Sequence, residues 1–204
     1  MSAGAPITGL ILAGGRGSRM GHADKGLQPF RGAAMVDHVM RRLAPQLDTV
    51  AISANRNLER YAQFGAPVWT DQLSGFEGPL AGLASGMHHA TTPLIATAPC
   101  DAPFLPEDLV ARLYRGLTEA GADLAVAETE EVDEQGHRHW QLQPVFVLVK
   151  TSTLPQLHSF LASGQRRMDG WYGDLRVVRV RFDDAAAFRN INTLQELQRH
   201  ENEP

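Results

Sequence analysis

Gly14, Gly15 and Gly17 alternate with Arg16 and are followed by Arg19 and Lys25, all directly behind the apolar run 7–13. Glycines let the backbone turn sharply and approach a ligand closely. Successive N–H groups in such a loop form an anion-binding concavity. Three glycines and three cations exceed what an ordinary strand-to-helix turn requires, and the combination suits a polyphosphate. A second chemical feature is Asp101, flanked by Pro99 and Pro103. A pre-oriented hard oxygen ligand suits Mg²⁺, which takes one or two carboxylates plus substrate phosphates. The plainer reading of Asp101 is a helix N-cap. Lys25 can neutralise charge on attacked or leaving phosphates, although most lysines are simply solvated.

The loop does not match the common phosphate motifs. A Walker A loop needs G-x-x-x-x-G-K-[ST], whereas Lys25 lies between Asp24 and Gly26. The dinucleotide fingerprint G-x-G-x-x-G needs a glycine at Met20. Its acidic partner would fall near Asp37, inside a helical pattern.

The positioning elements follow from periodicity. Residues 7–13 read as a buried strand. Residues 32–47 carry apolar groups at helical spacing. Residues 49–53 read as a strand, followed by a helix through Phe64, a short strand 68–70 and a loop 71–78. Pro79 opens a helix running to about His89. Residues 94–98 form a strand stopped by Pro99, and 103–117 a helix with acidic residues in its first turn. Strands follow at 122–128 and 145–149, the latter antiparallel because no helix joins the two. The stretch 130–139 between them is polar and expected to be a surface loop. Helices 151–162 and 166–172, a strand 175–182 and a helix 193–200 complete the chain.

This alternation argues an α/β sheet with right-handed crossovers. Ligands of such sheets bind beyond the carboxyl ends of the strands. The glycine loop, Asn55, Asp71 and Asp101 each follow one of the first four strands. Asp71 can accept from ribose hydroxyls or base N–H groups, or merely open its loop as an Asx turn.

The 204 residues favour one domain, and 43% hydrophobic content is ordinary for a globular chain. A net charge of −4 gives no support to nucleic-acid or membrane-surface binding. Cys100 is the single cysteine, which fits a reducing cytoplasm. No positioned His accompanies it in sequence, so small size beside Asp101 is its expected role. No segment qualifies as a signal or a membrane span. His137 and His139 have no third ligand nearby, so no zinc site is expected.

The run L-A-G-G-x-x-x-R-M-G-x-x-D-K-G-L, from Leu12 to Leu27, resembles the signature of nucleotidyltransferases, most closely the molybdenum cofactor guanylyltransferase family. Cofactor cytidylyltransferases usually read L-A-A-G instead. Further family-like segments are G-P-L-x-G from Gly78, P-C-D-x-P from Pro99, G-x-R-R-M from Gly164 and N-x-N-T from Asn190. The resemblance implies a single nucleotidyltransferase domain over residues 1–204. Its fold would be α/β, a Rossmann-like three-layer sandwich with a mostly parallel sheet and one antiparallel strand. It implies transfer of GMP from GTP to the phosphate of Mo-molybdopterin, with pyrophosphate released. Lys25, Asp101 and Arg19 would be catalytic, with Mg²⁺ on Asp101. Leu12, Ala13, Gly14, Gly15, Lys25, Asn55, Asp71 and Asp101 would meet the nucleotide. Gly78, Arg167, Asn190 and Asn192 would meet the pterin substrate. Proteins that deliver or accept the cofactor are further implied partners.

Two departures leave roles open. Relatives often carry Asn at Ser53, so either Ser53 or Asn55 could meet the nucleotide. The usual Pro after Thr193 is Leu194, and Asn192 could cap the last helix as well as bind substrate. Adjacent Arg166 and Arg167 diverge on a helix, so at most one need face the site. The alternatives are a cytidylyl- or sugar-1-phosphate nucleotidyltransferase of the same fold, or a non-catalytic nucleotide or cofactor carrier.

Overall fold

A computed structural model describes residues 4–14, 24–71, 78–133 and 135–201. Gly15, Arg16, Gly17 and Arg19 lie outside the described residues, as does the stretch 72–77. The chain runs β1 (Ile7–Leu12), β2 (Pro29–Phe30), β3 (Ala33–Ala34), α1 (Met35–Leu43), β4 (Thr49–Ser53), α2 (Leu58–Ala62) and β5 (Val68–Trp69). It continues through α3 (Pro79–His89), β6 (Leu94–Pro99), α4 (Leu109–Glu119), β7 (Leu124–Val132) and β8 (Arg138–Lys150). It ends with α5 (Leu154–Ala162), α6 (Met168–Trp171), β9 (Val177–Phe182) and α7 (Leu194–Glu201).

The main sheet has the order β5-β4-β1-β6-β8-β7-β9. All its neighbouring pairs are parallel except β6–β8 and β8–β7, so β8 alone runs against the rest. Strand alternation divides the core. Ile7 and Ile11 of β1 join α1 and α4 on one face, while Leu10 and Leu12 join α3 and α5 on the other. Those are the three layers expected of the sequence. Each fully buried aliphatic side chain contributes about 1.5–3 kcal/mol to holding them together. The chain leaves β1 toward β4 on one side, while β6 flanks β1 on the other. The order therefore reverses between β1 and β6, and the crevice at their carboxyl ends is where such sheets bind ligands.

Four boundaries differ from the sequence expectation. The helix expected from residue 32 starts at Met35, because Arg31 and Gly32 take positive φ values of 46° and 81° and turn the β2–β3 hairpin. Pro99 does not stop β6 but is its last residue, paired with Leu12. A proline fits there because its missing N–H falls at the strand end. The helix expected from 103 starts at Leu109, preceded by turns at Leu105 and Leu109 whose N–H groups bond Ala102 O and Pro106 O. The polar stretch 130–139 is largely strand. β7 and β8 pair from Glu130↔Trp140 to Val132↔Arg138, and Arg138 bonds Glu130 at 2.7 Å. Beyond Thr129 that hairpin leaves the core, so hydrophobic alternation is missing although the ladder continues. Among the described residues, no helix is long and apolar enough to cross a membrane.

Candidate active site

The segment after the glycine loop docks first. Asp24 is followed by a 3₁₀ turn, Lys25–Leu27, closed by the Leu27 N–H on Asp24 O and the Gln28 N–H on Lys25 O. Gly26 sits on the ends of α2 and β6. A Cβ there would stand 2.6 Å from the Tyr61 hydroxyl and 3.1 Å from both Cβ and Sγ of Cys100. Only glycine above a small residue allows that approach, which accounts for both Gly26 and Cys100. Burial and the Asp101 and Asp24 carboxylates push the Cys100 thiol pKa well up, so it is no nucleophile.

The turn delivers Lys25 into the crevice. Its Nζ donates to Asp101 Oδ2 at 3.1 Å and to Asn192 Oδ1 at 2.6 Å. The Asp101 side chain is 9% exposed and that of Lys25 23%. Asp101 stands two residues past the end of β6, next to Cys100, whose N–H bonds Leu12 O at 3.1 Å. Its own carbonyl accepts from the Ile191 N–H at 2.8 Å, tying the C-terminal segment to the strand end. The N-cap reading of Asp101 fails, because α4 starts at Leu109 after Asp108.

Asn192 is held by its neighbours. Thr193 and Glu196 form a reciprocal cap on α7: the Glu196 N–H bonds Thr193 Oγ1, and Glu196 Oε2 accepts from the N–H groups of Asn192 and Thr193. Thr193 therefore does the capping. The Asn192 amide is left to Lys25 and, through Nδ2, to Asn190 O at 3.3 Å. Asn190 itself is exposed.

A second group lies at the ends of β1, β4 and β5. The Ala13 N–H bonds Ser53 O, and the Ala54 N–H bonds Trp69 O. Ser53 is buried beneath α3, where a Cβ on Gly82 would meet its Oγ at 2.7 Å. Asn55 faces outward beside Gly14 and clamps Asp71. Its Nδ2 donates to Asp71 Oδ2 at 2.7 Å, and its Oδ1 accepts the Asp71 N–H at 2.9 Å. Of the two candidates, Asn55 thus stands at the open end of the sheet. Asp71 Oδ1 is buried with no partner among the described residues. Burial raises the Asp71 pKa against the opposing Asn55 hydrogen bond. A carboxyl whose folded pKa exceeds its unfolded 3.8 destabilises the ionised fold, and the cost appears as pH rises from 3.8 through the folded value. Asp71→Asn is therefore expected to raise the melting temperature at pH 7, with the gain shrinking toward pH 4. Equal melting curves at pH 7 would contradict this.

Gly78 precedes α3 with φ 107°, a conformation that side chains resist, and Pro79 starts the helix. Arg167 lies at the start of α6, 84% exposed and paired with Asp169 at 2.6 Å. Arg166 donates to Leu161 O and Gln165 O. The Arg167 guanidinium is thus turned to Asp169. Two partners of Asp24 escaped the sequence reading. The Tyr61 hydroxyl donates to Asp24 Oδ1 at 2.5 Å, and Asn57 Nδ2 donates to Asp24 Oδ2 at 2.9 Å. No motif links them; the one local signal is an aromatic on the buried side of a short helix.

The geometry gathers a lysine, a carboxylate and an amide oxygen at the switch point of an α/β sheet, with a paired Asn and Asp a strand away. Comparison with known proteins agrees with that chemistry. Residues 9–177 match the MobA-like NTP transferase domain. A protein of Cupriavidus necator named molybdenum cofactor guanylyltransferase is 55% identical over 195 residues, 96% of each chain. The crystal structure of molybdopterin-guanine dinucleotide biosynthesis protein A from Archaeoglobus fulgidus superposes with a TM-score of 0.75 at 22% identity, covering 95% of this chain and 96% of that one. The fold also matches 4-diphosphocytidyl-2C-methyl-D-erythritol synthase from Anaerococcus prevotii, with a TM-score of 0.72 at 13% identity and 97% of each chain covered. With that synthase the chain shares the fold alone, and by the family model and its relatives it belongs to the MobA-like NTP transferase family, among the molybdenum cofactor guanylyltransferases.

Proposed function

We propose that this chain transfers GMP from GTP to the terminal phosphate of Mo-molybdopterin, releasing pyrophosphate and forming the guanine dinucleotide cofactor. The observation that carries the reading is the Lys25 ammonium held between Asp101 and Asn192 at the β1–β6 crevice. The attacking phosphate is already anionic near neutral pH, so no strong general base is needed. The obstacle is repulsion between two polyanions. Lys25 meets it with a fixed charge.

Asp101 suits Mg²⁺. Its carboxylate is nearly buried, already faces one cation, and has the Asn192 amide oxygen beside it. Among the described residues no cluster of three or more His, Cys, Asp or Glu could hold a metal. One carboxylate plus substrate phosphates is the usual way of binding Mg²⁺ in such sites. A divalent ion held there supplies charge neutralisation to the triphosphate. Arg19, Gly15 and Arg167 are carried by the resemblance alone. The lone buried Cys100 favours a reducing cytoplasm. Delivery and acceptor proteins are proposed partners on the same resemblance.

Asp71 supports a guanine preference. Its buried Oδ1, without a partner among the described residues, can accept from guanine N1–H or N2–H₂. Adenine presents an acceptor at N1 and would leave that oxygen unpaired, at about 1–3 kcal/mol. Cytosine would leave part of a purine-sized space unfilled. GTP is therefore expected to outperform ATP and CTP by roughly tenfold or more in kcat/KM. Pyrophosphate release from each of the four nucleotides, with and without the pterin, tests this. Equal release from CTP or ATP would leave only the broader nucleotidyltransferase class, and nucleotide binding without release would favour a carrier.

A further inference from the structure

Lys25 performs the proposed chemistry from a turn of three residues, and such a turn has little to fix it by itself. Its anchorage comes from behind. Tyr61 is fully buried, and its hydroxyl touches the turn on two sides: it donates to Asp24 Oδ1 at 2.5 Å and lies under Gly26. Burial and the hydrogen bond to Asp24 raise the phenol pKa, so the hydroxyl keeps its proton as donor. Asn57 holds the other Asp24 oxygen at 2.9 Å. Asn57 also carries α2 away from β4 in a left-handed conformation, φ 53°, which asparagine tolerates better than most side chains. Asp24 thus has both oxygens occupied by α2 while its carbonyl starts the Lys25 turn and accepts from Gln28 Nε2 at 3.0 Å. Among the described residues the Asp24 side chain is hydrogen-bonded to Tyr61 and Asn57, not to Asp101 or Asn192.

We propose that Tyr61 is a positioning residue: its hydroxyl, through Asp24, sets the Lys25 turn so that the ammonium falls between Asp101 and Asn192. The need for it is geometric. Lys25 has a flexible four-carbon stem, and a lysine whose backbone is free distributes its charge over many positions. Misplacement of a group by about 1 Å can cost roughly a hundredfold in rate. Asp24 acts here through its hydrogen bonds to Tyr61 and Asn57. That Lys25 serves a nucleotide rests on the function proposed above; that Tyr61 sets its position does not.

The chain has two lysines, Lys25 and Lys150. Lys150 is far from the site, paired with Asp123 at 3.1 Å. Selective ¹³C-lysine labelling therefore gives two Hε–Cε signals, assigned by Lys25→Ala, without any ligand. In Tyr61→Phe, which keeps the ring and removes the hydroxyl, the Lys25 signal is expected to move toward that of a solvated lysine while Lys150 stays. Asp24→Ala should do the same. Asp24→Asn should leave the signal near its wild-type position, because one amide oxygen still accepts from Tyr61 and the Asn57 amide can turn to match the other side. An unmoved Lys25 signal in Tyr61→Phe overturns the proposal. So does Asp24→Asn behaving like Asp24→Ala, which would mean Asp24 acts by charge. A second arm measures Mg·GTP affinity. Tyr61→Phe should weaken it about tenfold in the wild-type background and less than twofold in Lys25→Ala. Equal losses in both backgrounds would mean general support of the fold and overturn the proposal. Absence of Mg·GTP binding by the wild type would overturn the function while leaving the spectral test of Tyr61 intact.

Discussion

Asp101→Asn is expected to lower turnover about a thousandfold, or ~4 kcal/mol of transition-state stabilisation, while the fold survives. Among the described residues the side chain of Asp101 makes one bond, to Lys25 Nζ, and an asparagine oxygen can still accept it. The tie to the C-terminal segment runs through the backbone carbonyl and is untouched. What disappears is the negative charge that balances Lys25 and anchors a divalent cation. The loss should therefore fall on the chemical step, and melting should shift little. Pyrophosphate release at rising Mg²⁺, beside thermal unfolding, separates the two. If the variant regains near-normal turnover at saturating Mg²⁺, Asp101 is not the anchor.

Strong periodicity was legible in the sequence, and so was the sheet it builds. The antiparallel β8 followed from a connection without a helix, and Asn55, Asp71 and Asp101 do follow the ends of β4, β5 and β6. The failures share a physical cause. Hydrophobic patterning reports one buried face, so the β7–β8 extension, wet on both sides and held by Glu130–Arg138 and by Arg181 over Trp140, left no pattern to read. Near Pro103 the apolar spacing ran on, but two prolines and the tie of Ile191 to Asp101 keep the chain in turns until Leu109. Within the site, Lys25 and Asp101 announced themselves by residue type and setting. That Lys25 would meet Asn192, 167 residues away, was not legible: the resemblance assigned Asn192 to the pterin substrate and Lys25 to the nucleotide. Asn192 was open between cap and ligand because Thr193-x-x-Glu196, the capping signal, stands one residue later. Tyr61 was invisible because its function lies in one buried oxygen on an unremarkable helix.

Gly26→Ala is expected to be the most damaging substitution among residues that make no polar side-chain contact. The added methyl carbon would stand 2.6 Å from the Tyr61 hydroxyl and 3.1 Å from Cβ and Sγ of Cys100. Neither neighbour can give way easily. Tyr61 is fully buried and bonded to Asp24, and Cys100 is fixed by its N–H on Leu12 O. The turn must rise instead, carrying Lys25 away from Asp101 and Asn192. Overpacking of this kind costs about 1–3 kcal/mol of stability. A displacement of about 1 Å at a charge meant for phosphate costs roughly a hundredfold in kcat/KM. Both losses should appear together, measured by thermal unfolding and by pyrophosphate release. Gly32→Ala serves as the control, since its φ of 81° strains the fold but nothing lies within 4 Å of the new methyl. It should lower the melting temperature with little change in kcat/KM. If Gly26→Ala lost stability alone, as Gly32→Ala should, the position of the turn would not govern catalysis and Lys25 would need another account.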